Sequence, residues 1–135
     1  MRSGRDIFIV TNNPLVVNAL PARYEVRAFE ELSYREILIK VRDLVYAGHV
    51  LLTHPLAGSV KPNETPYKSV ILSREPGALS PESADLAANA VTAYDKFAPR
   101  DRVLTEKLRQ DFQLIDYTLL CGALDIDAAA GLSKQ

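Results

Sequence analysis

One helix is delimited at both of its ends by the sequence itself. Ser33 followed three residues later by Glu36 is a capping box, and Gly48 suits the left-handed residue that closes a helix. Between these ends, apolar residues recur at helical spacing and form one face: Ile37, Leu38, Val41, Leu44 and Val45. A helix bounded in this way predicts a crossover between the strands that precede and follow it.

Apolar runs on both sides of this helix predict strands. Asp6–Thr11 is a continuous run typical of a strand buried on both faces, and Tyr24–Phe29 alternates with a period of two. His49–Thr53 and Lys68–Ser73 are predicted as the third and fourth strands. Because a strand–helix–strand crossover makes its strands parallel, the segments near 7–11 and 50–53 are expected to run parallel. We therefore predict one α/β domain over residues 1–135, with a small, mostly parallel sheet of about four strands flanked by helices.

Three further helices are predicted from caps and periodicity. Asn13 caps a short helix that begins at Pro14, and Ser80 caps a longer one. The longer one is expected to bury Leu86, Ala87, Ala90, Val91, Tyr94 and Phe97. The last helix is predicted to start near Asp101 and to bury Leu104, Leu108, Phe112, Ile115 and Leu119. These two helices end the fold, and the tail from about residue 123 is expected to fray.

Parallel strands bring their carboxyl ends to one edge of the sheet, where ligands usually bind. Thr11, Asn12 and Asn13 follow the first predicted strand, and His54 follows the third. The topology therefore predicts that these two polar clusters lie close together.

A long polar loop joins the third and fourth predicted strands. Pro55, Pro62 and Pro66 restrict its backbone. Loops between buried strands normally need about two to six residues, and a longer polar one is more often a binding site than a spacer. We therefore expect this loop to supply most of a ligand site.

Composition and charge exclude several classes of protein. Lys and Arg number 16 against 17 for Asp and Glu, so the chain lacks the basic footprint of a nucleic-acid binder. Its apolar runs are too short for a bilayer span or a signal peptide. The single cysteine, Cys121, excludes an intramolecular disulfide, and neither a metal-ligand cluster nor a Gly-rich phosphate motif occurs. A cytoplasmic protein without metal or cofactor, binding neither nucleic acid nor membrane, is expected.

Several unusual blocks of sequence resemble the GrdX family. They are Thr11-Asn12-Asn13-Pro14, Lys40–Val45, Gly48-His49, the THPLAGS block at 53–59 and the KPNETPYKS block at 61–69. The resemblance runs from about Ile7 to about Leu120 and covers nearly the whole chain.

Members of this family are small proteins encoded beside the components of glycine, sarcosine and betaine reductases. The resemblance implies an association with selenium-dependent amino-acid reduction, but no settled activity and no catalytic positions. With Cys121 as its one cysteine, the chain carries no selenocysteine or redox cysteine pair, so an accessory role is implied.

The polar residues of the two clusters and the loop form the predicted ligand-binding set. Lys61 and Lys68 either neutralise a carboxylate or phosphate, with neighbouring amide and hydroxyl groups as further donors, or are solvated lysines of the loop. The first interpretation predicts a small anionic metabolite as the ligand. His54 is either a ligand contact or general base, or it fixes the local turn; Glu64 is either an acid or base, or it pairs with Lys61. The set comprises Thr11, Asn12, Asn13, His54, Ser59, Lys61, Asn63, Glu64, Thr65 and Tyr67.

Three functions remain open from the sequence. The first is a binding module for a small anion at the carboxyl edge of the sheet. The second is an assembly or interaction protein whose partner is a component of a reductase complex. The third is a hydrolase or transferase that uses His54 and Glu64.

Overall fold

A three-stranded mixed sheet lies at the centre of the protein. A computed structural model describes residues 6–56, 61–98 and 103–132, and in it β1 (Ile7–Thr11) lies between β2 (Glu25–Ala28) and β3 (Ser69–Ser73). β1 pairs parallel with β2 and antiparallel with β3. The predicted α/β class is confirmed, but the described residues do not form the four mostly parallel strands that were expected.

The third predicted strand, His49–Thr53, is wrong as a strand. It makes only an isolated antiparallel bridge, from Leu51 to Leu72 of β3. The amide of Leu52 still donates to the carbonyl of Ile71, but side-chain hydroxyls take the next two donors of the ladder. The amide of Val50 donates to Oγ of Ser73 at 2.7 Å, and the amide of Ile71 donates to Oγ1 of Thr53 at 3.1 Å. This segment and β1 still run in the same sense, because both are antiparallel to β3, but β3 separates them.

Five helices surround the sheet in the described part of the chain. The caps predicted for the first three are confirmed: Asn13, the Ser33 capping box, and Ser80. Gly48 follows the second helix with a φ of 113°, as its predicted left-handed role requires. The helices are α1 (Pro14–Ala19), α2 (Tyr34–Tyr46), α3 (Pro81–Asp95), α4 (Glu106–Leu124) and α5 (Ala128–Leu132).

The helices form two layers, one on each face of the sheet. Alternate residues of β1 point to opposite faces: Ile7 and Ile9 pack against α1 and α4, while Phe8 and Val10 pack against α2. α3 packs on α2 through Ala90 and its neighbours. This three-layer arrangement explains why every residue of β1 and β3 is buried, whereas β2 at the edge of the sheet alternates polar and apolar residues. Among the residues that the structure describes, no helix is both long enough and apolar enough to cross a membrane.

The buried face predicted for the last helix is wrong. Leu108 and Leu119 are 36% and 44% exposed, and Phe112 and Ile115 are only partly buried. The helix carries apolar residues on two sides, so periodicity alone does not identify the side that meets the sheet. The predicted start, Asp101, lies outside the described residues. The face that is buried consists of Asp116, Tyr117, Leu120, Cys121 and Leu124.

Two smaller corrections concern the buried side of α3 and the carboxyl end of α4. Leu86 and Phe97, predicted in the buried stripe of α3, are 40% and 37% exposed. α4 continues through Gly122 to a left-handed cap at Asp125, and α5 forms in the region that was expected to fray. α5 is retained because its Leu132 and the adjoining Ile126 pack on the core formed by α1 and α4.

Candidate functional site

A network of buried hydrogen bonds fixes the carboxyl end of β1. Oγ1 of Thr11 accepts from the amide of Asn13 at 2.9 Å and lies 2.7 Å from Oγ of Ser69. Oδ2 of Asp116 accepts from Oγ of Ser69 at 2.7 Å and from Nδ2 of Asn13 at 3.0 Å. Oδ1 of Asn13 caps α1 by accepting from the amide of Leu15. The polar groups of Thr11 and Asn13 therefore face the protein and hold α1, β3 and α4 together.

Asn12 fixes the long loop against the sheet. Its Nδ2 donates to the carbonyls of Leu32 at 2.9 Å and Pro66 at 2.8 Å, and its Oδ1 accepts from the amide of Lys68 at 2.9 Å. Both of its amide hydrogens and its oxygen are engaged in these bonds. Asn12 thus positions the loop and the segment before α2, and it offers no unused donor to a ligand.

His54 is exposed and fixes a local turn. Its Nδ1 accepts from the amide of Leu56 at 3.1 Å, which leaves Nε2 as the protonated nitrogen of the neutral ring. The histidine lines a small cavity of about 100 Å³ together with Lys68, Ser69 and Asp116. Of the predicted ligand-binding residues that the structure describes, only His54 lines this cavity.

A buried lysine and a buried carboxyl group meet beside this small cavity. Lys68 is 6% and Asp116 is 8% exposed. Burial lowers the pKa of Lys68, and the charge of Asp116 acts against that shift. Burial raises the pKa of Asp116, against the hydrogen bonds from Ser69 and Asn13 and the charge of Lys68. The sequence did not identify Asp116 as a site residue. One acidic residue among the apolar positions of a helix does not indicate by itself that its carboxyl group is buried in a polar cluster.

A larger cleft of about 560 Å³ opens on the other side of the loop. It lies between the amino end of α2, the carboxyl end of α3, the loop at 63–66 and the start of α4. Asn63, Glu64 and Thr65 of the predicted set line it. The full lining, called the cleft below, is Ser33, Tyr34, Arg35, Asn63, Glu64, Thr65, Pro66, Tyr94, Asp95, Phe97, Leu104 and Arg109.

Two contacts between α2 and α3 make one wall of the cleft. The rings of Tyr34 and Tyr94 stack with centroids 5.3 Å apart. Arg35 donates to both oxygens of Asp95, at 2.8 and 3.0 Å, in a bidentate pair. The guanidinium lowers the pKa of Asp95, and burial raises the pKa of Tyr34. Arg35 is thus neutralised by a protein carboxylate and is committed to joining the two helices.

Two other groups of the cleft are not satisfied by the protein. Arg109 makes no side-chain hydrogen bond or ion pair with any residue in the described part of the chain. Nδ2 of Asn63 donates to the carbonyl of Ala98 at 2.6 Å, but its buried Oδ1 has no partner among the residues that the structure describes. Within residues 6–56, 61–98 and 103–132, the cleft therefore presents the guanidinium of Arg109 without a counter-charge in contact and the carboxamide oxygen of Asn63 without a donor.

The remaining predicted residues lie away from the cleft. Lys61 is exposed and lines neither cavity, and its carbonyl accepts from the amide of Glu64 in a turn. The hydroxyl of Tyr67 accepts from Nε2 of Gln113 at 3.0 Å. Ser59 lies outside the described residues. The structure thus brings together Asn63, Glu64 and Thr65 from the predicted set and separates them from His54.

Arg109 and the tyrosine pair are site residues that sequence reasoning did not select. The charge of Arg109 gives no local signal, because an arginine on a polar helix face is ordinarily solvated. Among the described residues, no group of three or more His, Cys, Asp and Glu side chains is arranged to hold a metal ion. The cleft presents guanidinium, carboxylate, carboxamide and hydroxyl groups together with apolar walls.

Comparison with known proteins gives one match. A scan of family models matches the one described as GrdX-like protein over residues 8–125, which includes every residue of the cleft. A search of curated proteins and a search of solved structures found no significant match.

Proposed function

The chain belongs to the GrdX-like protein family, as its motifs predicted, and from this premise we propose that it is an accessory protein whose cleft binds a small organic anion. The cleft lies beyond the carboxyl end of β1, because Asn12 holds Leu32 and Pro66 there and Ser33 and Pro66 line the cleft. Open α/β folds bind ligands at this edge of the sheet.

The uncompensated guanidinium of Arg109 is the observation that carries the proposal. Arg109 is exposed at the cleft that Phe97 and Leu104 also line, and an anion bound there gains a charge-assisted hydrogen bond from its guanidinium. Pro66, Phe97, Leu104 and the stacked tyrosines offer apolar surface as well. An organic anion with an apolar portion fits this lining better than a bare inorganic ion.

Calorimetric titration of an anion panel tests the proposal. The panel consists of acetate, succinate, benzoate and 3-phenylpropanoate, each titrated into the wild type and the Arg109→Ala variant. Charge-assisted hydrogen bonds contribute about 1.5–3 kcal/mol, so we expect Arg109→Ala to raise Kd about tenfold or more.

Lys107→Ala is the matched control, because Lys107 lies on the same helix, is 80% exposed and pairs with Asp111. Its variant should bind like the wild type. Equal affinity of the wild type and Arg109→Ala, or no heat of binding from any anion of the panel, would reject the proposal.

A second candidate function is docking on a component of an amino-acid reductase complex, which the apolar stripe of α4 favours. The stripe consists of Leu108, Phe112, Ile115 and Leu119, which repeat at alternating spacings of four and three residues as in the seam of paired helices. It faces away from the buried side of α4. The reductase partner is the one that the family resemblance implies.

Co-elution with purified reductase components tests this second candidate. The double variant Leu108→Gln/Leu119→Gln should abolish co-elution. Leu114→Gln, whose residue is 42% exposed on another side of the same helix, should not. Self-association through the stripe instead of co-elution would contradict docking on a reductase.

The third function left open by the sequence, a hydrolase or transferase, receives no support from geometry. In the part of the chain that the structure describes, His54 lines the small cavity and Glu64 lines the cleft, so neither of these two cavities holds both side chains.

A further inference from the structure

The cleft contains an acceptor that the protein leaves unsatisfied. Oδ1 of Asn63 is buried and has no hydrogen-bond partner in the described part of the chain, although Nδ2 of the same side chain donates to the carbonyl of Ala98 at 2.6 Å. Most buried polar side-chain atoms in folded proteins have a partner, so an exception calls for an explanation, and a bound ligand is one. The short bond to Ala98 fixes which end of the carboxamide carries the donor, because a carbonyl can only accept.

We infer, building on the proposed function, that the ligand of the cleft carries an N–H or O–H donor for Asn63 in addition to the anionic group bound by Arg109. Asn63 and Arg109 both line the cleft, from the loop and from α4 respectively. Asn63 is only partly buried as a whole, and the inference requires its carboxamide to turn its oxygen toward the cleft when the ligand binds.

A donor from the ligand is favoured over water at this oxygen. Pro66, Phe97 and Leu104 give the same cleft an apolar lining, which favours an organic ligand over bulk water. A site built to hydrogen-bond a ligand group rejects the analogue that lacks it, because the acceptor then stays unpaired. The ligand class is therefore a carboxylate with a nearby amine, amide or hydroxyl donor and an apolar portion, and a plain carboxylate should bind more weakly.

The two ends of such a ligand are recognised by separate residues, so their contributions can be measured separately. 3-Phenylpropanoate and L-phenylalanine share the carboxylate and the ring, and only L-phenylalanine carries the ammonium donor. The volume of the cleft, about 560 Å³, accommodates either molecule. Comparing this pair across variants isolates the contact to Asn63.

Calorimetric titration of the two compounds tests the inference. The wild type should bind L-phenylalanine at least tenfold more tightly than 3-phenylpropanoate, and Asn63→Ala should reduce that ratio to about twofold or less. Arg109→Ala should weaken both compounds by a similar factor. Lys61→Ala, on the same loop but outside the cleft, should leave both affinities unchanged.

Asn63→Asp provides a second variant in case the alanine variant does not fold. It keeps an acceptor and loses the donor to Ala98, so it should retain or increase the preference for the ammonium compound. Loss of the preference in Asn63→Asp would overturn the inference.

The outcomes separate this inference from the proposed function. If both compounds bind the wild type equally and Arg109→Ala weakens both, the donor requirement is wrong while anion binding stands. If neither binds but another anion of the panel binds through Arg109, the ligand class inferred here is likewise rejected. If no anion binds at all, both proposals fall.

Discussion

Some residues predicted to bind a ligand instead make hydrogen bonds within the protein, and their partners are distant in sequence. Asn12 and Asn13 follow a strand. Their position in the sequence is the same whether their side-chain amides contact a ligand or other groups of the protein. The structure engages Asn12 with Leu32, Pro66 and Lys68, none of which is a sequence neighbour. The cap at Asn13 was predictable because it depends on local sequence alone.

Asn12→Asp tests the positioning role of Asn12. The change removes both Nδ2 donors and places a carboxylate beside two carbonyl oxygens, so we expect a loss of about 2–4 kcal/mol in the free energy of unfolding. Urea denaturation measures it. Asn89→Asp, at an exposed position in α3, is the control and should change stability little. A stable Asn12→Asp protein would show that these bonds do not hold the loop.

Asp116 should give the protein a pH dependence opposite in sign to that of Asp95. Burial raises the pKa of Asp116, so its contribution to stability is present below the unfolded pKa, about 3.9, and is lost as pH rises through the folded pKa. The stability advantage of the wild type over Asp116→Asn should therefore shrink between about pH 3 and pH 7.

Asp95→Asn provides the contrast. The Arg35 pair lowers the pKa of Asp95, so its contribution is present above the unfolded pKa and is lost as pH falls through the folded pKa. The advantage of the wild type over Asp95→Asn should grow over the same range. Urea titrations at each pH measure both differences, and slopes of the same sign would contradict this account.

At the scale of secondary-structure elements, helix ends were more predictable than helix faces. The caps of α1, α2 and α3 depend on residues within one turn, and the sequence contains them. The buried side of α4 depends on which of two apolar sides meets the sheet, and the packing of α1 and β3 decides that choice. His49–Thr53 is not a strand for a similar reason, since the hydroxyls of Ser73 and Thr53 accept the amide hydrogens that would extend the ladder.

Alanine substitutions on the two sides of α4 test the corrected face. Leu120 is 4% exposed within the core, so Leu120→Ala should cost about 2–5 kcal/mol through lost burial and a cavity. Leu108→Ala, on the stripe, should cost less than about 1 kcal/mol, near the range of surface substitutions. Chemical denaturation compares them. A larger loss at Leu108 would restore the face predicted from periodicity.

At the scale of the whole molecule, the sequence predicts the layers but not the cleft. An α/β class follows from apolar strands separated by amphipathic helices. The direction of β3 does not follow from the sequence, because a strand buried on both faces has no polar side that would indicate its neighbour. The long loop before β3 also allows the chain to return antiparallel to β1. The cleft is made by four segments that are far apart in sequence, so spacing cannot reveal it.

Nuclear magnetic resonance on the uniformly ¹⁵N-labelled protein, titrated with the panel anion of lowest Kd, tests the site most directly. If the cleft is the binding site, the largest chemical-shift changes should fall on the side chains of Arg109 and Asn63 and on the amide of Thr65. The amides of Thr53 and Ser69 beside the small cavity should change little. Changes centred on Thr53 and Ser69, or none at saturating anion, would contradict anion binding in the cleft.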